Sequence, residues 1–202
     1  MAYTILKGAY DLMKKMVELS NVTQAYLAEY ERILKKMMHR MTYVTITCSI
    51  SDNFIKQMIP HHVAAVKMSE NILRCTTNLD VQCLAQNIIT GQKESIKNLE
   101  AIQNRCCFIQ NSDYEIYEYM CAFKEIAEVM FQEMCSAPIS NSINVNFIRE
   151  MLPHHQGAVR MAQNALRFCI CQELIPILQS IINTQCKQIE LMYKLLEGLS
   201  DC

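Results

Sequence analysis

The segment "MIPHHVAAVKM" (residues 58–68) returns 93 residues later as "MLPHHQGAVRM" (residues 151–161). These two segments hold four of the five histidines in the chain. Around them, residues 53–74 match residues 146–167 at thirteen of twenty-two positions. Self-similarity at one fixed spacing indicates that a structural unit has been duplicated.

The match extends without a gap along most of the chain. Residues 88–96 resemble residues 181–189, and a weaker match lies upstream of the histidine segments. We therefore predict two tandem units, residues 20–110 and 111–202, packed together as one domain, since 202 residues suit a single domain. Residues 1–19 remain as an extra, amphipathic N-terminal helix.

Each unit has the periodicity of three helices. In the first unit a helix over residues 22–42 precedes an uncharged, β-branched segment, residues 41–51, which predicts a loop or an extended strand. Ser51 or Asp52 would cap the paired-histidine helix, and Asn78 would cap the third helix. Short connections favour antiparallel neighbours. We predict an all-α bundle with pseudo-two-fold symmetry, in which the two paired-histidine helices face each other.

The composition argues against several classes of function. The chain is 51% hydrophobic, and its formal net charge is −1. This charge predicts no nucleic-acid partner and no anionic-membrane partner. No segment is apolar enough to predict a membrane span. No signal peptide is apparent, so we expect a cytoplasmic location. The sequence leaves homo-oligomerisation open.

Eleven cysteines are an unusual number for a chain of this length. Without an export signal, they predict thiols in a reducing compartment rather than a disulfide framework. We expect most of them to be buried thiols. An accessory Cu(I) or Zn role for Cys169 and Cys171 is the alternative.

The paired-histidine segments present imidazole and thioether groups together. Helical spacing places histidines and methionines on one broad face of each helix. Thioether sulfur selects Cu(I), and imidazole suits copper, zinc, iron and nickel. The pattern predicts a soft metal ion, Cu(I) above all, held between the two helices. The predicted ligands are Met58, His61, His62, Met68, Met151, His154, His155 and Met161.

Six further residues have two interpretations. Four methionines on the neighbouring helices either complete the metal site or fill gaps in the core, as methionine commonly does; they are Met37, Met41, Met130 and Met134. Gln92 and Gln185 interrupt apolar stripes. Each either hydrogen-bonds the second nitrogen of a ligand histidine or bonds a backbone carbonyl at a loop.

Pro60 and Pro153 directly precede the histidine pairs. Each proline either interrupts a helix that has already begun or stands near the first position of a helix that begins later. In both cases the histidines lie at a backbone irregularity, where functional sites often occur.

A protein without metal is the competing interpretation. The histidines would then hydrogen-bond within the core of a structural or protein-interaction bundle. Enzyme chemistry is disfavoured in either case. A ferritin-type di-iron site needs Glu-x-x-His, but Met58 and Met151 occupy the glutamate positions. The sequence contains neither a phosphate-binding glycine loop nor a nucleophile elbow.

The phrase Met-Ile-Pro-His-His-x-x-Ala-x-x-Met, followed by a helix with Ile-Ile-x-x-Gln, resembles the bacterial domain-of-unknown-function family numbered 305. The resemblance covers about residues 50–110 and 143–200. It implies a ferritin-like helical bundle. Some exported members of this family are implicated in copper or silver binding and tolerance, so the resemblance implies metal storage or homeostasis.

The resemblance also implies particular residues. It points to the paired histidines and to the methionines at both ends of each segment, and it matches Gln92 and Gln185. Ser95 and Gln188 stand where the family usually has glutamate. The usual methionine of the second helix is Leu99 in the first unit and Met192 in the second unit.

Overall fold

The structure is a computed structural model and describes residues 18–200. These residues form six helices and no strand, which confirms the all-α prediction. None of the helices is long and apolar enough to cross a membrane. The N-terminal helix predicted for residues 1–19 lies almost wholly outside the described residues. The helices are α1 (Asn21–Thr42), α2 (Ile50–Leu73), α3 (Leu79–Cys106), α4 (Asp113–Cys135), α5 (Ile143–Ala165) and α6 (Leu174–Ser200).

The start of α2 differs from the sequence-based prediction. Its N-cap is Ser49, whose side chain accepts a hydrogen bond from the backbone N–H of Asp52. The prediction of Ser51 or Asp52 was wrong, because both residues already lie in the first helical turn. The predicted cap of α3 is confirmed, since the Asn78 side chain accepts from the backbone N–H of Val81.

Both prolines lie inside helices. Pro60 stands in the middle of α2, and Pro153 stands in the middle of α5. The alternative of a helix that begins near the proline is therefore wrong. Proline has no N–H, so the usual bonds to the carbonyls of Lys56 and Arg149 are missing one turn before the histidines.

The two paired-histidine helices run antiparallel. At one end Thr76, after α2, donates a hydrogen bond to Asn144 at the start of α5, over 2.6 Å. At the other end the backbone N–H of Cys171, after α5, donates to Ser51 at the start of α2, over 2.9 Å. Helices α2 and α5 form the centre, with α1 against α2, α4 against α5, and the pair α3 and α6 in mutual contact.

The two repeats make equivalent contacts. Asn71 donates to the backbone carbonyl of Tyr26 over 3.0 Å, and Asn164 donates to that of Tyr119 over 3.1 Å. Each residue of the second contact is the repeat equivalent of the corresponding residue of the first contact. These contacts agree with the predicted pseudo-two-fold arrangement. The domain boundaries, and the ferritin-like relationship, stay predictions.

The cysteines depart from the sequence-based expectation. Cys106, at the end of α3, forms a disulfide with Cys171 in the connection between α5 and α6. The expectation of thiols alone was wrong at this pair, because that connection folds back onto the start of α2. The same disulfide occupies the sulfur of Cys171, so the accessory site proposed with Cys169 is not available while the bond is formed.

Most of the remaining cysteines are not buried. Among the described free thiols only Cys135 is buried. The expectation of buried thiols was therefore wrong, because these residues lie on the solvent faces of helices and in connections. The exposed thiols are Cys48, Cys75, Cys83, Cys121, Cys169 and Cys186.

Candidate metal centre

The four histidines of the repeated segments meet where α2 and α5 cross. The ring centroids of His61 and His154, one from each helix, are 3.7 Å apart, and the ring planes are inclined by 32°. Within each pair the centroids are 5.8 Å apart for His61 and His62, and 5.9 Å apart for His154 and His155. All four side chains are fully buried. The structure therefore brings the two predicted pairs into one layer.

Two of the imidazoles make hydrogen bonds through Nε2. Nε2 of His154 contacts the backbone carbonyl of His61 at 3.2 Å. Nε2 of His155 contacts the side-chain amide of Gln188 at 2.9 Å, and the Met151 carbonyl also acts on this ring. A backbone carbonyl can only accept, so Nε2 is the donor in His154. Nδ1 of His154 then carries a lone pair, which is the form that binds a metal ion.

Six imidazole nitrogens in this layer make no hydrogen bond of good geometry within the described residues, although the backbone carbonyls of His154 and Met151 lie close enough to His61 and His155 to raise the pKa of each ring. The six nitrogens are Nδ1 and Nε2 of His61 and His62, and Nδ1 of His154 and His155. Buried polar atoms are nearly always partnered. Leaving one without a partner costs about 1–3 kcal/mol. The layer therefore contains buried imidazole nitrogens whose hydrogen-bonding capacity the described residues do not fill.

Burial keeps these histidines neutral. The pKa of His62 is lowered to about 3, chiefly by desolvation and also by the neighbouring His154 and His155. Desolvation also lowers the pKa of His155 to about 4, against the opposing effect of its bond to Gln188. The pKa values of His61 and His154 lie well below the ordinary value for the same primary reason. Neutral imidazole is the ligand form, so no proton competes with a metal ion at pH 7.

The histidines alone do not form a finished metal geometry. Within residues 18–200, no group of three or more His, Cys, Asp and Glu side chains has the arrangement of a metal site. Thioether donors or rotated imidazoles would complete the coordination. Met58 and Met151 precede the histidine pairs by one turn, about 4.5 Å along the axis, whereas Met68 and Met161 lie about 10 Å beyond His61 and His154. All four methionines are buried.

The four accessory methionines occupy packing positions. Met37 lies with Pro60 and Val63 in a groove between α1 and α2, on a side of α2 turned away from the histidines. Met130 fills the space beside Gly157, where an added Cβ atom would overlap its side chain. Met41 lines a groove against α4, and Met134 is buried in the core. These positions favour the core-filling interpretation.

The two predicted glutamines do not bond the histidines. Gln92 and Gln185 are buried, and the side-chain oxygen of each has no partner. Gln188, one turn after Gln185, makes the histidine contact instead. The sequence held a signal for it, since Gln188 lies on the same helical stripe and stands at the family's glutamate position. Its repeat equivalent, Ser95, has an unpartnered hydroxyl.

A cavity of about 320 Å³ lies between α3 and α6 and reaches the histidine layer at His62. Both unpartnered glutamines and Gln188 contribute to its wall. No Lys or Arg lines it. The lining residues are His62, Gly91, Gln92, Glu94, Ser95, Asn98, Pro176, Ile177, Ser180, Ile181, Thr184, Gln185 and Gln188.

The fold and the site together define a helical-bundle protein with a buried layer of paired histidines at the crossing of two antiparallel helices. The chain belongs to the family described as "Domain of unknown function (DUF305)", whose model matches residues 9–103 and 51–196. The first match includes the first paired-histidine segment, and the second match includes both segments. The family resemblance seen in the sequence is confirmed.

Two solved structures are similar to this chain. A DUF305 fragment from Deinococcus radiodurans shares 24% identity, with a TM-score of 0.54, over 74% of this chain and 96% of its own length. A protein described as CopM in the Ag-bound form, prepared by soaking, shares 26% identity, with a TM-score of 0.55, over 73% of this chain and 95% of its own. The first similarity supports the fold alone. A search of curated protein sequences finds no significant match.

Proposed function

We propose that this protein is a non-catalytic metal-binding protein that holds Cu(I), or a similar soft ion, between α2 and α5 in metal storage or homeostasis. The four fully buried imidazoles at the crossing, most of whose ring nitrogens make no hydrogen bond of good geometry, carry this proposal. The Ag-bound form of CopM supports a soft cation, because silver, like Cu(I), prefers sulfur and nitrogen donors.

The ligands follow from the tautomers and from distance along the helices. Nδ1 of His154 supplies a lone pair, and His61, His62 and His155 supply one nitrogen each. Thioether sulfur from Met58 or Met151 is the nearest further donor. A set closed by protein ligands suits retention of an ion, whereas a catalytic metal keeps an open position.

The buried carboxylate nearest the layer in sequence does not alter this assignment. Glu150 precedes His154 by one turn, and its carboxylate accepts a hydrogen bond from the Tyr26 hydroxyl over 2.6 Å. That contact ties α5 to α1. Glu150 therefore has a structural partner, and no oxidase-type carboxylate pair is proposed.

A structural bundle without metal is the alternative, and two contacts favour it. The bonds from His154 to the His61 carbonyl and from His155 to Gln188 show that half of the imidazoles have a partner in the fold. In this alternative the histidines hold α2 against α5, and chelators leave the unfolding temperature unchanged.

The test is a Cu(I) titration under anaerobic, reducing conditions. The wild-type protein is compared with a variant in which His61, His62, His154 and His155 are all alanine. His39→Ala is the matched control, since His39 is exposed on α1. We expect binding in the wild type and the control and its loss in the quadruple variant. Equal Cu(I) stoichiometry and affinity in all three proteins would contradict the proposal.

We also propose a reducing, cytoplasmic location. The exposed free thiols support it, because such thiols persist where disulfides are kept reduced. The Cys106–Cys171 disulfide points the other way. Alkylation of the protein at the moment of cell lysis, followed by mass spectrometry, decides between them. Alkylation of both Cys106 and Cys171 would show that they were reduced in the cell, which favours the cytoplasm.

A further inference from the structure

We propose that the cavity between α3 and α6 is the path by which a cation reaches the histidine layer. The inference rests on the proposed function, because it assigns the route to the site proposed there. It adds a role for α3 and α6, which contribute no predicted metal ligand.

The cavity meets the layer at one residue. His62 forms part of the cavity wall, although its side chain is fully buried from bulk solvent. Two other grooves do not reach a histidine. One lies between α1 and α2 and ends at Pro60 and Ala64, and the other lies between α1 and α4. The α3–α6 cavity therefore brings a cation to the edge of the histidine layer, and a rotation of a wall side chain opens the last step, since His62 itself is fully buried.

The wall of the cavity carries oxygen atoms that no protein donor uses. The side-chain oxygens of Gln92 and Gln185 and the hydroxyl of Ser95 are buried and have no partner. Gln92 and Gln185 are repeat equivalents, so one oxygen comes from α3 and the other from α6. Amide oxygens carry partial negative charge and can replace water around a passing cation, as carbonyl oxygens do in ion channels.

The charges near the cavity do not oppose a cation. Glu94 is the charged residue among those that line it. Lys97 lies outside the lining and is 3.9 Å from Glu94, and both side chains are largely exposed. Solvent screens such an exposed pair. The interior of the cavity, by contrast, offers oxygen and imidazole nitrogen.

Gln188 connects the cavity to the second histidine pair. It lines the cavity and hydrogen-bonds Nε2 of His155. A cation that has reached His62 is therefore next to both halves of the layer. A cation on this path meets oxygen atoms first and imidazole nitrogen second. Protein oxygen therefore replaces its hydration water before histidine coordinates it.

Gly91→Leu tests the path without changing a ligand. Gly91 lines the cavity on α3, and an added Cβ atom would lie 4.0 Å from Cγ2 of Thr184, an ordinary contact distance. The leucine therefore narrows the cavity without forcing backbone apart. Gly198→Leu is the matched control on α6, because a Cβ atom there meets no heavy atom within 4 Å. Both changes replace a helical glycine with a better helix former.

The measurement is stopped-flow binding of Cu(I), together with release of bound Cu(I) to an excess of a chelator too bulky to enter the cavity. We expect Gly91→Leu to slow both rates by about tenfold and to leave the dissociation constant unchanged, since a barrier on a path acts in both directions. Gly198→Leu should match the wild type.

The outcomes separate the two proposals. If the wild type binds at the histidines and Gly91→Leu changes neither rate, the path is wrong and the metal site stands. If the dissociation constant changes while the binding rate does not, Gly91 shapes the site, and the path is again overturned. If the wild type does not bind Cu(I) at the histidines, both proposals fall.

Discussion

Two buried polar layers between the repeats differ in how they are satisfied. In the tyrosine layer, Tyr26 donates to Glu150 over 2.6 Å, and Tyr119 donates to Gln57 over 2.7 Å. None of these side chains has a buried polar atom without a partner. The histidine layer lies a few residues further along α2 and α5. Six of its imidazole nitrogens make no hydrogen bond of good geometry. The tyrosine layer is therefore complete as folded, whereas the histidine layer keeps buried nitrogens without a hydrogen bond of good geometry.

Acidification should have the largest effect, and it acts on the histidine layer. The folded-state pKa values of these histidines lie below the ordinary value of about 6.5. As pH falls, the unfolded chain therefore takes up protons first. Their contribution to stability is complete above about pH 6.5 and is lost as pH falls towards the folded-state pKa of each histidine, about 4 for His155 and about 3 for His62. Each fully shifted histidine removes up to about 1.4 kcal/mol per pH unit in this window.

We therefore expect urea unfolding at pH 5.5 to give a free energy about 3–5 kcal/mol lower than at pH 7.5. The carboxylates with lowered pKa, such as Glu29 and Glu173, act below both of these pH values. The control is His39→Ala, which should show the same dependence as the wild type. Equal stability at both pH values would contradict the buried neutral histidines.

The second prediction concerns a completed polar contact. The side chain of Asn53 accepts from the backbone N–H of Thr47 over 2.8 Å and donates to the Thr47 carbonyl over 2.9 Å. Asn53→Ala leaves both groups without this partner, so we expect a loss of about 2–3 kcal/mol in the free energy of unfolding. Cu(I) affinity should stay unchanged. Asn87→Ala, an exposed change on α3, is the control and should have little effect.

The tyrosine layer gives the third prediction. Burial raises the pKa of Tyr119, so its hydroxyl stays protonated and donates. Tyr119→Phe keeps the ring and leaves the amide oxygen of Gln57 without its donor, at a cost of about 1–2 kcal/mol in chemical unfolding. Tyr114→Phe is the exposed control on α4. A loss of Cu(I) binding in Tyr119→Phe would break the distinction between the two layers.

The smallest effect is expected at the contact that joins the histidine layer to α6. Gln188→Ala removes the hydrogen-bond partner that orients His155. We expect about a tenfold weaker Cu(I) affinity in competition titrations, because partners of ligand histidines typically contribute 10–100-fold. Gln179→Ala, an exposed glutamine on the same helix, should bind like the wild type. No difference between these two variants would place His155 outside the site.

The sequence predicted the helices and the meeting of the two histidine pairs because duplication and helical period are local properties. The cap of α2 was missed because Ser49, Ser51 and Asp52 are all capable of capping, and the choice depends on where the preceding loop packs. The Cys106–Cys171 disulfide was missed because it depends on how the connection after α5 folds over α2. The repeat gave no help there, since its equivalent of Cys171 is Asn78.

The choice of glutamine that bonds His155 shows the same limit of prediction from sequence. Gln185 and Gln188 lie one turn apart on the same stripe of α6, and helical period alone does not distinguish them. The tilt of α6 against α5 decides which amide reaches His155. That tilt depends on packing along the whole contact between the two helices.

The most direct test of the incomplete histidine layer is a long-range ¹H–¹⁵N NMR spectrum of the histidine side chains, with and without Ag(I). We expect neutral imidazoles in the buried layer, with Nε2 protonated in His154, and a change at the signals of the unprotonated ring nitrogens when Ag(I) is added. The signals of exposed His39 should not move. Unchanged signals from all four buried histidines in saturating Ag(I) would contradict the account.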